Sequence, residues 1–156
     1  MSLDDLYQEI ILDHYKKPRN RAPELDPHDV HVHHSNPLCG DEMDLRLRVG
    51  DGATVGAVAY DGDGCSISMS SASAMTEAVI GRDLDDALEL AESFRLMMHG
   101  EEIAREDDLL DGVAFRGVAK FPVRVKCALL GWMALKDAIE THRAGAAEHR
   151  VTHDEE

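Results

Sequence analysis

Three cysteines and one aspartate stand out in this chain of 156 residues by their chemistry and spacing. Cys39 and Asp41 flank one glycine in the string NPLCGD at 36–41. A glycine gives the backbone the freedom to aim both side chains at one small object. Thiolates and carboxylates both bind divalent metals, and Cys65 and Cys127 would complete a tetrahedral set. The four groups form a candidate metal site, provided that the fold brings them together.

Two of the three cysteines are predicted to lie at the starts of helices. Cys65 follows the turn at 61–64, and Cys127 lies near the first turn of the last helix, whereas Cys39 lies in a loop between two strands. The unpaired N–H groups of a helix N-terminus lower the pKa of a thiol. Free cysteines are also common as buried apolar residues, and the spacing here matches no Cys-x-x-Cys ribbon or finger. Spacing alone therefore leaves both interpretations open.

Other candidate sites are weaker. His31, His33 and His34 cluster on the first predicted strand, where a solvated strand surface is favoured over a metal site. The string at 61–64 (DGDG) resembles the start of a calcium loop, but the positions after it supply no further oxygen ligands or closing glutamate. We interpret it as a turn.

The charge and composition exclude several classes of function. The net charge is −15, from 31 acidic and 16 basic residues, which repels nucleic acid and anionic membranes. Such acidity is also typical of adaptation to high salt, and the sequence leaves that open. No apolar run reaches the roughly 18 residues that span a membrane, and the acidic N-terminus is unlike a signal peptide. An odd number of cysteines favours a reducing compartment, so we expect a cytoplasmic protein that binds neither nucleic acid nor membranes.

Hydrophobic periodicity predicts an α+β fold, in which a small antiparallel three-stranded sheet packs against several helices. We expect one domain over 1–143 and a disordered acidic tail over 144–156. Leu3, Leu6 and His14 are among the residues predicted to share the buried face of the first helix. The predicted elements are helices at 2–16, 66–80, 84–99, 105–111 and 123–143, with the strands between 29 and 61.

Four sequence strings occur in order along the chain. They are LYQEIILDHYKKPRN at 6–20, NPLCGD at 36–41, GDGCSIS at 62–68 and FPVRVKCALLGW at 121–132. Together they resemble the U-type iron–sulfur cluster assembly family, whose members include IscU, SufU and the N-terminal part of NifU. The likeness extends over about residues 3–140. Three ligand motifs in the right order make it highly specific.

This resemblance implies a ligand set and a branch of the family. The metal ligands would be Cys39, Asp41, Cys65 and Cys127, holding Zn²⁺ or, as the alternative, iron or an iron–sulfur cluster. In IscU-type scaffolds a histidine precedes the third cysteine, whereas this chain has Lys126 there. Only Pro122 and Val123 match the chaperone-docking segment of those scaffolds, and the stretch at about 101–119 resembles an extra segment of SufU-type proteins. The chain is therefore most similar to the SufU branch.

The resemblance also implies a mechanism. A pyridoxal-phosphate cysteine desulfurase of the SufS type would dock, and one of its histidines would take the zinc position of Cys39. The released Cys39 would accept persulfide sulfur, which then passes to a downstream SUF scaffold. Arg124 and Lys126 flank the third cysteine and would offset the negative charge of the site. The alternatives are a scaffold that assembles a cluster on the same ligands, and a binding module in which zinc is only structural.

Overall fold

The computed structural model describes residues 2–37 and 39–153 and confirms the α+β class. Four strands form one sheet in the order β3-β2-β1-β4, and helices pack against it. Strands β1, β2 and β3 pair antiparallel, as predicted. The elements are α1 Leu3–Lys16, β1 Val30–Asn36, β2 Asp41–Gly50, β3 Thr54–Asp61, α2 Ser66–Val79, α3 Leu84–Met98, a 3₁₀ segment Glu106–Lys120, α4 Pro122–Arg143 and β4 Glu148–Thr152.

Alternating side chains of β1 and β2 build one wall of the core. Val32 lies opposite Leu45 across the two strands, and both side chains are fully buried. Successive residues of a strand point to opposite faces, so this register directs the apolar residues toward the helices and leaves the intervening polar ones half-exposed. The same register brings Asp41, the first residue of β2, opposite Asn36, the last residue of β1. The loop with Cys39 is therefore short and fixed at both ends.

Helix α2 is buried almost all round and packs closely on α4. A Cβ added to Gly131 would lie 3.0 Å from the Cβ of Ala72, so small residues are needed at this crossing. The hydroxyl of Ser71 donates to the carbonyl of Ala128 at 2.7 Å, which satisfies a polar group that is buried between the helices. This crossing lies about one and a half turns into α2 and brings the helix starts, with Cys65 and Cys127, to the same end of the molecule.

Helix α1 is less buried than its periodicity predicts. Ser2 caps it as a capping box with Asp5, in agreement with the sequence. His14 is fully buried, but Leu3 and Leu6, which we expected on the same face, are exposed by 60% and 45%. Helix α1 packs on α2 and the 3₁₀ segment but lies away from the sheet. Another face of α1 borders a groove along most of the helix, with Tyr7, Ile11 and Tyr15 among the lining residues.

The C-terminal residues differ from the predicted disordered tail. Strand β4 pairs parallel with β1, and its side chains are exposed except for the half-buried Val151. The polar side-chain contacts that hold β4 in place are made by histidines. A ring nitrogen of His34 lies 2.8 Å from one of His153, and Asp137 binds both His34 and His149 at 2.8–2.9 Å. Polar contacts between residues far apart in sequence leave no periodic pattern, which is why the sequence did not indicate this strand. Residues 154–156 of the predicted tail lie outside the described residues.

Two of these histidines make the pairing of β4 sensitive to pH. Burial lowers the pKa of His34 and of His153 below the ordinary 6.5, so the released strand binds protons that the paired strand does not. The stability of β4 is therefore complete above about pH 6.5 and falls as the pH drops below it. Once both rings are protonated, neither nitrogen can accept the hydrogen bond between them.

We predict that hydrogen exchange in 147–153, corrected for intrinsic rates, accelerates at pH 5.5 relative to pH 7.5. The variant His153→Gln should lose part of this difference, because it removes one of the two titrating rings. The matched control His99→Gln, a change at the end of α3, should keep it. Equal protection of β4 at both pH values would contradict the prediction.

Candidate metal centre

The four groups singled out in the sequence converge at one end of the molecule. The sulfurs of Cys39 and Cys127 and a carboxylate oxygen of Asp41 all lie within 4.8 Å of one another. The sulfur of Cys65 lies 3.6 Å from Asp41 Oδ2 and is in hydrogen-bond contact with Cys127. Tetrahedral zinc with sulfur ligands at about 2.3 Å separates those sulfurs by roughly 3.8 Å. The atoms of Cys39, Asp41 and Cys127 are therefore close enough to share such an ion, and Cys65 contacts two of these three residues.

A tight turn positions Cys39. The N–H groups of Cys39 and Gly40 both donate to the carbonyl of Asn36, at 3.3 and 2.9 Å. Gly40 has a φ of +73°, in the left-handed region, and this directs the chain into β2 at Asp41. Leu38 lies outside the described residues. The turn sets the thiol and the carboxylate on the same side, as the glycine between them predicts.

Asp41 and Cys65 fasten the start of α2 to the start of β2. Asp41 is buried, and its Oδ1 accepts the N–H of Cys65 at 3.0 Å. Cys65 is the N-cap of α2, where its sulfur accepts the N–H of Ser68 at 3.5 Å. The carboxylate thus has one oxygen engaged with backbone and the other directed at the thiols.

Helix α4 supplies the third thiol and the two nearby cations. Cys127 is buried, and its sulfur lies 3.6 Å from the carbonyl oxygen of Val123. Lys126 is half-buried and lines a pocket next to Cys39. Arg124 is exposed and borders the groove beneath α1. Lys126 therefore lies beside Cys39, whereas Arg124 lines the larger groove.

The three thiols differ in how readily they ionise. The S–H of Cys127 donates to Cys65, and together with the N–H of Ser68 this lowers the pKa of Cys65 to about 6. The same contact raises the pKa of Cys127, because ionising it would place two negative sulfurs side by side. Burial raises the pKa of Cys39. In the absence of a metal, Cys65 is therefore the thiolate of the cluster, and Cys39 stays protonated at neutral pH.

Two cavities open beside the cluster. The smaller has a volume of about 210 Å³ and an almost wholly apolar surface, and its lining residues include Cys39, Pro122, Val123 and Lys126. Within the part of the chain that the structure describes, Cys65 and Cys127 do not line it. The larger, of about 700 Å³, runs between α1, the start of α2 and the 3₁₀ segment. Cys39 is thus the thiol that faces an open apolar pocket.

The histidines lie apart from the thiols. His31 and His33 both bind Asp44 at the half-exposed face of β1 and β2, in agreement with a strand surface. His34 differs, since it is buried beneath β4 and binds Asp137. A second polar cluster around His14 was missed in the sequence, because its partners lie 59 and 97 residues away.

The sequence model of one protein family, the NifU-like N-terminal domain, matches residues 6–148 of the chain. The chain belongs to this family of U-type iron–sulfur cluster assembly proteins. It is 44% identical to the zinc-dependent sulfurtransferase SufU of Bacillus subtilis (strain 168), over 92% of this chain and 96% of that one. It is 40% identical to the scaffold protein IscU of Streptococcus pyogenes serotype M1, over 94% of this chain and 89% of that one.

A solved structure also resembles the fold. The N-terminal part of a nitrogen-fixing NifU-like protein from Brucella abortus has a TM-score of 0.82 and 25% identity, covering 93% of this chain and all of that one. The family places the chain in iron–sulfur cluster biogenesis, as the sequence strings predicted. No helix in the described part of this family member has both the length and the apolar character required to cross a membrane.

We predict that Cys65 of the metal-free protein is alkylated first by iodoacetamide at pH 7. With a pKa of about 6, its thiolate outnumbers its thiol by about ten to one at that pH. Peptide mass spectrometry after short exposure would report the order of labelling. Labelling of Cys39 before Cys65 would contradict the predicted order of ionisation.

Proposed function

We propose that the protein accepts sulfur from a pyridoxal-phosphate cysteine desulfurase of the SufS type and passes it to a downstream SUF scaffold. Cys39 is the sulfur acceptor, and Cys39, Asp41, Cys65 and Cys127 hold Zn²⁺. The observation that carries this proposal is a cluster in which Cys39, Asp41 and Cys127 lie within 4.8 Å of one another and Cys65 contacts Asp41 at 3.6 Å. Among the described residues, Cys39 is the one cysteine of the three that also lines the neighbouring apolar pocket.

The donor set fits zinc. Three sulfurs and one carboxylate oxygen are ligands that zinc takes in proteins, and the atoms of Cys39, Asp41 and Cys127 already lie within 4.8 Å of one another. When bound, zinc supplies a Lewis acid that keeps the coordinating thiols deprotonated at neutral pH. The four ligands would carry four negative charges against two on the ion. We assign Lys126, which lines the pocket with Cys39, and Arg124, two residues before it on α4, to offsetting the remainder. The 44% identity to a zinc-dependent sulfurtransferase supports the same occupant.

The local structure favours Cys39 over the other two thiols as acceptor. Cys65 caps α2 and receives the N–H of Ser68, so moving its sulfur would cost the helix its cap. Cys127 is held within α4 and is 4% exposed. Cys39 lies on a turn outside any helix or strand and is half-buried. Its sulfur can therefore turn toward a partner without disturbing an element of the fold.

Sulfur transfer to Cys39 is a displacement at the outer sulfur of the partner's persulfide. The Cys39 thiolate forms a new S–S bond to that sulfur, and the bond to the partner's cysteine breaks. The partner's cysteine leaves as a thiolate, and Cys39 carries the persulfide. Pro122 and Val123 give the pocket beside Cys39 an apolar wall, which would keep water from the transferred sulfur.

The free thiols require a reducing compartment, and we assign the protein to the cytoplasm.

A second function remains on the same ligands, namely a scaffold on which an iron–sulfur cluster is assembled as cargo. Thiolates bind iron clusters as well as zinc, and the 40% identity to an IscU scaffold favours this alternative. Lys126 in place of the histidine of IscU-type scaffolds favours sulfur transfer.

We predict that Cys39→Ala reduces the turnover of the partner desulfurase to the rate of the desulfurase alone. The variant should gain no sulfur atom by mass spectrometry after incubation with desulfurase and cysteine. Zinc content is measured in parallel, to establish whether the variant still holds zinc through the remaining ligands Asp41, Cys65 and Cys127. The matched control is Ser35→Ala, a change on β1 outside the centre. Full stimulation by zinc-loaded Cys39→Ala would contradict the assignment.

A further inference from the structure

A second convergence of ligand-type side chains lies away from the thiols. His14 of α1, Glu77 of α2 and Asp111 of the 3₁₀ segment each offer one atom, and these atoms lie within 4.8 Å of one another. Glu77 follows Cys65 by twelve residues on α2, which corresponds to about 18 Å along the helix axis. This trio is therefore separate from the candidate metal centre.

The imidazole of His14 is held in one orientation. The ring is fully buried, and its Nδ1 lies 2.7 Å from the hydroxyl of Ser73. The N–H of Arg19 also donates to that hydroxyl, at 2.8 Å. A serine oxygen has two lone pairs, so it can accept the Nδ1 proton of His14 as well. In that tautomer the lone pair of His14 Nε2 points at the two carboxylates, which is the arrangement of a metal-bound histidine.

The distances between the three donors suit a small divalent ion. His14 Nε2 lies 2.8 Å from Asp111 Oδ2 and 3.8 Å from Glu77 Oε1. Ligands at about 2.1 Å from an ion lie roughly 3.0–3.4 Å from each other. The two observed distances bracket this range. The carboxylates of Glu77 and Asp111 are 42% and 45% exposed, so they can shift by the few tenths of an ångström required and admit a hydrated ion.

The negative charge of the carboxylates around His14 also favours binding of a cation. The guanidinium of Arg19 binds Asp13 at 2.7 Å and reaches Glu77 only at 3.8 Å. Its hydrogen bond lowers the pKa of Asp13, so this carboxylate takes up much of the positive charge of Arg19. With Asp13 engaged by Arg19 and also close to Lys17, the carboxylates of Glu77 and Asp111 remain as the negative charges beside His14. One divalent ion would neutralise them.

We propose that His14, Glu77 and Asp111 bind a divalent ion of the Mn²⁺ or Fe²⁺ class. One imidazole nitrogen and two carboxylate oxygens are donors that such ions prefer, whereas the three thiols favour zinc. The remaining coordination positions face solvent and would be filled by water. On binding, the proton of His14 moves from Nε2, where it is donated to Asp111, to Nδ1, where it is donated to the hydroxyl of Ser73. The ion joins α1, α2 and the 3₁₀ segment at one point.

The test is a titration of the zinc-loaded, full-length protein with Mn²⁺, followed by electron paramagnetic resonance of free and bound ion. We expect one tight Mn²⁺ per chain, with pulsed spectra that report a directly bound imidazole nitrogen. Asp111→Asn and Glu77→Gln should each weaken binding about tenfold or more. The matched control Asp107→Asn removes the same charge from an exposed position of the same segment and should leave binding unchanged.

Two results would overturn the proposal. One is the absence of tight Mn²⁺ binding to the wild-type protein. The other is equal weakening in Asp107→Asn and Asp111→Asn, which would assign the binding to the diffuse negative charge of the surface. Because His14 is buried, His14→Gln is compared only after circular dichroism shows a native fold. The nitrogen signal in the wild-type protein does not depend on that variant.

Discussion

The close contact of α2 with α4 is the constraint on which the metal centre depends. Ala72 and Gly131 pack so closely that a Cβ at position 131 would lie 3.0 Å from that of Ala72, and the hydroxyl of Ser71 bonds across the interface. Both helices carry their cysteine at the N-terminal end. The contact therefore sets Cys65 beside Cys127, and Asp41 fastens the sheet to the same point through the N–H of Cys65. A larger residue at position 131 would separate two ligands without touching either.

The ionisation of the thiols links the metal to the proposed chemistry. The thiol that faces the open pocket, Cys39, has a raised pKa, while the thiolate forms on the capping residue, Cys65. A protonated Cys39 is a poor nucleophile at neutral pH. In the proposed sulfur transfer, a bound cation would remove this proton, so the acceptor would depend on its metal for reactivity as well as for structure.

Local patterns in the sequence predicted most of the fold but not all of its contacts. Helical periods predicted the bounds of α1, α2, α3 and α4 to within a residue or two, and alternation predicted the three strands between 29 and 61. The segment at 105–111 extends further than predicted, as 3₁₀ structure to Lys120. The chemistry of the four candidate ligands and the strings that resemble the family indicated which residues form the candidate metal site. Strand β4 and the clusters around His14 and His34 were missed, because each depends on single polar pairs between distant residues. The exposure of Leu3 and Leu6 depends on where α1 docks, and a helical period does not report that.

The most direct test of the account is the metal and acid-labile sulfide content of the protein purified anaerobically from its native host. The account predicts about one zinc per chain without sulfide, bound by Cys39, Asp41, Cys65 and Cys127. Iron with a matching amount of sulfide would contradict it and would identify a scaffold that carries a cluster on the same four residues.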